Sequence, residues 1–154
     1  MGGVSAPFSF HHRWSLPAEP ERVVAALADI EHYPRWWPQV RSVDRIDDES
    51  GRGRVRSLLP VTMHLVLTRE VEDREGGHLR VALDGDLVGW AQWSVDTVRG
   101  DGSKVTVAVF EQEVRVGARL HRAATLTPFV LRANHAWMMR QGRRGLAREI
   151  TRRR

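Results

Sequence analysis

The sequence predicts an α+β protein: a seven-stranded curved antiparallel sheet around one long C-terminal helix, with two short helical segments after the first strand. Three observations predict it. Residues 8–16 alternate apolar and polar side chains, the period of a strand with one buried face. From Val40 to Val116 six more strand-like runs are joined by short, turn-rich stretches, which indicates an antiparallel meander. Beyond Thr127 apolar residues recur at helical spacing to the end of the chain.

Taken in order, Phe8, Phe10, His12, Trp14 and Leu16 share one parity, and Pro17 ends that strand. Pro20 suits the first turn of a helix, where its missing N–H costs nothing. Val23, Val24, Leu27 and Ile30 carry this helix to about Ile30. In YPRWWPQV (33–40), Pro34 and Pro38 restrict the chain to a short helical turn and an extended exit. The stretch DDESGRG, with GRG at 51–53, reads as a turn, and Asp101-Gly102 as a hairpin. In the last strand Glu111 and Glu113 share the parity of Val105, Val107 and Val109, a face apolar at one end and polar at the other. Thr127 can cap the final helix and Pro128 fits its first position. Leu126, Val130, Ala133 and Trp137 form its expected inner stripe, continued by Met139, Leu146 and Ile150. Arg132, Arg140, Arg143, Arg144 and Arg148 are placed to face away. A helix of about 24 residues would be about 36 Å long and needs a long partner surface, which only the sheet offers.

The 154 residues fit one domain, with 1–6 and 152–154 expected to be flexible. No apolar run approaches the roughly 18 residues of a membrane span, so integral membrane association is not expected. MGGVSAPFSFHH lacks the pattern of a secretory signal. The absence of cysteine excludes disulfides, thiolate zinc sites and a thiol nucleophile, and a cytoplasmic location is expected. Net charge is +5, and Lys104 is the sole lysine, the bias a GC-rich genome would produce. The arginine cluster from Arg140 to Arg154 has no interleaved aromatics and no nucleic-acid motif. It reads as a solvated helix face, and nucleic acid is not expected as a partner.

The segments PAEPERVVAALADIEHYPRWWPQV, RSLLP, GDLVGWAQW and ANHAWMMRQGRRGL resemble the START-like, or helix-grip, superfamily, within its polyketide cyclase/dehydrase and lipid-transport group. The first is similar to that family's opening helix, its Asp and its aromatic short helix. The last three resemble an actinobacterial subgroup. The resemblance runs from about Phe10 to Ile150. It implies an elongated cavity between the sheet and the C-terminal helix, and hydrophobic ligands such as lipids, polyketides, sterols or quinones. It supplies no universal catalytic motif, and the fold hosts carriers, hormone binders, ring-closing enzymes and chaperone activators alike.

Read for chemistry, the seven histidines include no HExxH spacing, and His11 and His12 point to opposite faces of a strand, so no metal is expected. No P-loop, dinucleotide motif or GxSxG is present, and no cofactor is expected. The candidates for proton transfer are His135, Asp84, Asp86 and Arg56. His135, on the helix, would be an acid or base near neutral pH if it faces the cavity, and a surface histidine otherwise. Asp84 and Asp86 flank Gly85 either as a polar turn or as acids at a cavity mouth, where burial would raise their pKa. Arg56, if inward, needs an acidic partner or an anionic ligand; outward, it is solvated. The candidate ligand contacts are Trp36, Trp37, Trp90, Trp93, Leu59, Asn134 and Met138. Trp90 and Trp93 have opposite parity, so one faces inward, and a bulge at Gly89 would shift the register that decides which. Trp36 is assigned to plug the space beside the first helix, and Trp37 to a lid over the cavity mouth. Met138 and Met139 suit an adaptable pocket. Gly142 and Gly145 cost helix stability and imply close approach to another backbone, or space for a ligand. The expected function is binding of a small hydrophobic ligand, lipid-, polyketide- or isoprenoid-like. The alternatives are a polyketide cyclase/dehydratase and a module that docks a protein or membrane through the basic helix. The sequence carries no signal of oligomeric state.

Overall fold

A computed structural model of the chain describes residues 8–56, 61–117 and 128–152. Strand β1 (Phe8–Leu16) leads into helix α1 (Pro20–Ala28) and a short 3-10 helix (Ile30–Arg35). Six strands follow: β2 (Val40–Arg45), β3 (Ser50–Arg56), β4 (Thr62–Asp73), β5 (His78–Gly85), β6 (Leu87–Gly100) and β7 (Ser103–Val116). Helix α2 (Pro128–Arg152) closes the chain. The strands form one seven-stranded antiparallel sheet in the order β1-β7-β6-β5-β4-β3-β2. The meander is therefore as the turns imply, and β1 crosses to the far edge by pairing with β7. The expected lengths also match: α1 stops two residues short of Ile30, which opens the 3-10 helix instead.

The alternation read from the sequence sets the faces. Trp14 and Leu16 of β1, Leu79 and Leu83 of β5, Trp93 and Val95 of β6, and Phe110 and Val114 of β7 are buried. Val23, Val24 and Leu27 of α1 and Met139, Leu146 and Ile150 of α2 cover this face. Each such side chain gains roughly 1.5–3 kcal/mol from leaving water. The aromatic side chains gather at one end: Trp14 lies 4.7 Å from Trp93 and 5.7 Å from Trp37, centroid to centroid.

Four expectations are corrected. GRG at 51–53 belongs to strand β3, and the turn precedes it, held by Asp47 Oδ1 accepting from the Glu49 and Ser50 amides. Gly53 is buried there, and a Cβ would come within 3.2 Å of Leu67. Gly89 marks no bulge, because β6 and β7 keep unbroken register from Leu87 to Gly100. It allows close approach instead, since a Cβ would meet the Glu113 carbonyl oxygen at 2.0 Å. On β7, Glu111 and Glu113 do share a face with Val107 and Val109, but it is not the cavity face, which carries Phe110, Gln112, Val114 and Val116. On α2, Val130 and Ala133 are exposed, and the inward stripe is Leu131, His135, Met138, Met139, Gly142 and Leu146. The five arginines do face away, all exposed. Leu126 and Thr127 lie outside the described residues.

Helix α2 packs its backbone against α1 and β1. Its C-terminal half is pressed against the 3-10 segment, where a Cβ on Gly145 would overlap the Trp36 carbonyl oxygen at 1.6 Å. A Cβ on Gly142 would meet the Trp37 indole at 2.7 Å and Trp14 at 3.0 Å. Both glycines thus serve close approach. No described helix is long and apolar enough to cross a membrane.

Candidate functional site

The helix is tight against its neighbours at one end and lifts from the middle of the sheet. The space between is a cavity of about 230 Å³. Its walls are apolar: Val55 and Leu65 of the outer strands, Ala91 and Trp93 of β6, Leu27 of α1, and Leu131 and Met139 of α2. One ladder row crosses its floor, Phe10–Gln112–Ala91–Val81–Arg69, each residue paired with the next on the neighbouring strand. A polar groove of about 780 Å³ adjoins the cavity and shares Ala28, Ile30, Val43, Leu67, Arg69, Glu72 and Val81 with it.

One polar cluster stands inside the apolar walls. Gln112 is buried, and its Oε1 accepts from His135 Nε2 at 2.9 Å. With that proton on Nε2, His135 Nδ1 is an acceptor and takes a hydrogen bond from His12 Nε2 at 3.2 Å. Phe10 stacks on the imidazole, centroids 3.7 Å apart and planes within 13°. Burial, helped by the nearby His12, pushes the His135 pKa down to about 3. Burial and His11 lower that of His12 as well. Desolvation disfavours a charged imidazole and no carboxylate is near to offset it. His135 is therefore a neutral hydrogen-bonding group at ordinary pH.

The remaining expected residues divide cleanly. Asn134, Met138, Trp37 and Trp93 line the cavity with His135. Trp36 and Trp90 do not. Trp90 faces the other side of β6, where the Arg80 guanidinium sits 4.3 Å over its ring. Trp37 is not a lid: it is 7% exposed, and its Nε1–H donates to the Met138 carbonyl at 3.0 Å, fixing it as part of the wall. Trp36 stacks on Trp37 with planes 19° apart and packs edge-on to Trp14. Successive residues face one way because both lie just past the end of the 3-10 helix, where both amides bond to the Tyr33 carbonyl. Tyr33, whose hydroxyl donates to the Leu27 carbonyl at 2.6 Å, completes the stack.

Neither acidic candidate lines the cavity. Asp84 is exposed and accepts from the Gly85 amide. Asp86 is 5% exposed, but its Oδ2 accepts from the His64 amide at 2.7 Å, and its carbonyl takes the Gly117 amide. Its carboxylate ties strand ends together around Gly85, which adopts φ +99° in the turn. Arg56 is exposed and lies outside the cavity wall. Leu59 lies outside the described residues. Gln112 is the site residue that sequence patterning did not single out. The signal was present in the alternation Phe110, Gln112, Val114, Val116, which places one amide in an apolar row.

A curved antiparallel sheet gripping a long C-terminal helix over an apolar cavity is the START-like, or helix-grip, arrangement, a fold suited to hydrophobic ligands. The chain belongs to the polyketide cyclase/dehydrase and lipid transport family, which it matches over residues 7–151. Solved structures share the fold. The Zhui aromatase/cyclase of a Streptomyces species is 16% identical with a TM-score of 0.75, covering 96% of each chain. A START superfamily protein of Mycobacterium smegmatis is 13% identical with a TM-score of 0.72, covering 95% of this chain and 99% of that one. The protein XoxI of Bacillus cereus is 11% identical with a TM-score of 0.68, covering 93% and 95%. No curated protein matches the sequence.

Proposed function

We propose that this protein binds a small apolar molecule, lipid-, polyketide- or isoprenoid-like, in the cavity between the sheet and α2. The observation that carries the reading is a space of about 230 Å³ walled by apolar side chains from strands and both helices. An empty apolar space of that size forfeits dispersion contacts, and a ligand restores them. Trp37, Trp93, Met138 and Asn134 would contact it, and the flexible thioethers of Met138 and Met139 allow the wall to adapt. Proton-transfer chemistry gains less support. It needs a group that exchanges a proton near neutral pH, whereas His135 is held neutral down to about 3 and Asp84, Asp86 and Arg56 lie off the wall.

Fluorescence titration with phenylnaphthylamine, a neutral dye that brightens in apolar sites, tests the reading. Saturable binding at one dye per chain is expected. Ala91→Trp, which fills the cavity floor, should weaken it at least about tenfold while the far-ultraviolet circular dichroism is unchanged. No saturable binding, or full binding by a folded Ala91→Trp variant, overturns it.

A further inference from the structure

We propose that the cavity selects an uncharged apolar ligand carrying a hydrogen-bond acceptor, in the simplest case a carbonyl, and that the side-chain amide of Gln112 is the group that recognises it. The assignment rests on the binding function proposed above and names its ligand class.

Gln112 has hydrogen-bonding capacity left to give. Its Oε1 is engaged by His135 Nε2–H. Its amide nitrogen carries two N–H donors and makes no hydrogen bond among the described residues. Gln112 is 8% exposed and lines the cavity. Its strand neighbours on that face are Phe110 and Val114, and its cross-strand partners are Phe10 and Ala91. None of these side chains can accept a hydrogen bond. His135 cannot either, since its Nδ1 is engaged by His12. An amide N–H that borders the cavity and has no protein partner is free to donate, and a ligand acceptor placed there would take up that hydrogen bond. His135 acts as a positioning residue: it holds the amide oxygen, and so turns the nitrogen away from itself.

Charge then narrows the class. Among the described residues the charged side chains on the wall are Arg69, Glu72 and Arg80. Arg80 is turned to Trp90 and to Glu70, 3.2 Å away. Arg69 lies in the same ladder row as Gln112 but three strands away, about 14 Å at ordinary strand spacing. It already faces Glu72 at 3.9 Å. A carboxylate seated at Gln112 would therefore be buried without a counter-charge. The adjoining groove adds to this, since seven carboxylates and four guanidinium groups line it. The chain as a whole is basic at +5, yet this approach to the cavity is acidic. Anionic ligands meet like charge outside, and the arginines on the wall are already turned to Glu72 and Glu70.

The test is displacement of phenylnaphthylamine at pH 7 by three ligands that share a ring system: acetylnaphthalene, ethylnaphthalene and naphthoate. The ketone should compete at about tenfold lower concentration than either of the others. In Gln112→Leu the ketone should lose its advantage and compete no better than the hydrocarbon. Gln112→Glu keeps an acceptor for His135 and removes both donors, so it too should lose the ketone preference. If neither variant folds, the wild-type series decides alone. Equal competition by hydrocarbon and ketone, or tighter binding of naphthoate, overturns the assignment. Failure of the dye itself to bind overturns the binding function and this assignment together, whereas dye binding without ketone preference overturns the assignment alone.

Discussion

At the scale of single residues, two glycines and one histidine carry the sharpest consequences. Gly145→Ala places a methyl group 1.6 Å from the Trp36 carbonyl oxygen, which is backbone and cannot swing aside. The expected loss is about 2–3 kcal/mol or more, read as a lower urea midpoint. Gly100→Ala, with nothing within 4 Å of its Cβ, is the control and should change stability little. His135 gives a pH signature. Its pKa is about 3 in the folded protein and near 6.5 in the unfolded chain, so between those values the unfolded state holds the extra proton. The stability tied to neutral His135 is complete above about pH 6.5 and is lost as pH falls toward 3. Replacing it by Gln should flatten the decline of the denaturation midpoint between pH 6.5 and about 4; an unchanged slope would mean the imidazole is not held neutral. His135 and Asn134 could be placed on the helix from sequence, but their direction could not. The expected apolar stripe ran through Val130, Ala133 and Trp137, and the inward face instead carries polar Asn134 and His135 where the cavity is.

At the scale of elements, legibility followed periodicity. The strands were legible because a period of two survives single exceptions, and Trp14 and Leu16 of β1 sit on the buried face their parity implies; on β6 parity separated Trp90 from Trp93 without saying which turns inward. GRG at 51–53 misled because glycine signals turns and close packing alike; in β3 it admits Leu67. The pair Trp36–Trp37 misled for a related reason, since both sit in the irregular exit of a 3-10 helix, where the rule that neighbours diverge does not hold. Helix α2 ends on a contact no pattern would show: Arg22 of α1 donates from Nη2 to the Ile150 carbonyl at 2.5 Å. A cation at a helix C-terminus satisfies a free carbonyl and opposes the helix dipole. Arg22→Ala should therefore lower stability by about 0.5–1 kcal/mol, and hydrogen exchange should rise first in the last turn of α2.

At the scale of the whole molecule, the sheet and α2 meet in a tight aromatic end and part over a cavity, so stability and binding are laid out along one axis. A ligand that fills the cavity binds only the folded chain. At one hundred times its dissociation constant it should add about 2.7 kcal/mol, a thermal shift of several degrees in differential scanning fluorimetry. Ala91→Trp should be insensitive to the same ligand. The aromatic end has a further consequence, in the optical properties of the protein. Trp14, Trp36, Trp37 and Trp93 lie with neighbouring ring centroids 4.7–6.5 Å apart, and two of them, Trp37 and Trp93, also line the cavity. Excitation shared within such a cluster reaches a ring that borders the cavity. A bound chromophore that absorbs in the tryptophan emission band should then quench the ultraviolet fluorescence of the whole cluster, so occupancy can be followed in unlabelled protein by the light it no longer emits.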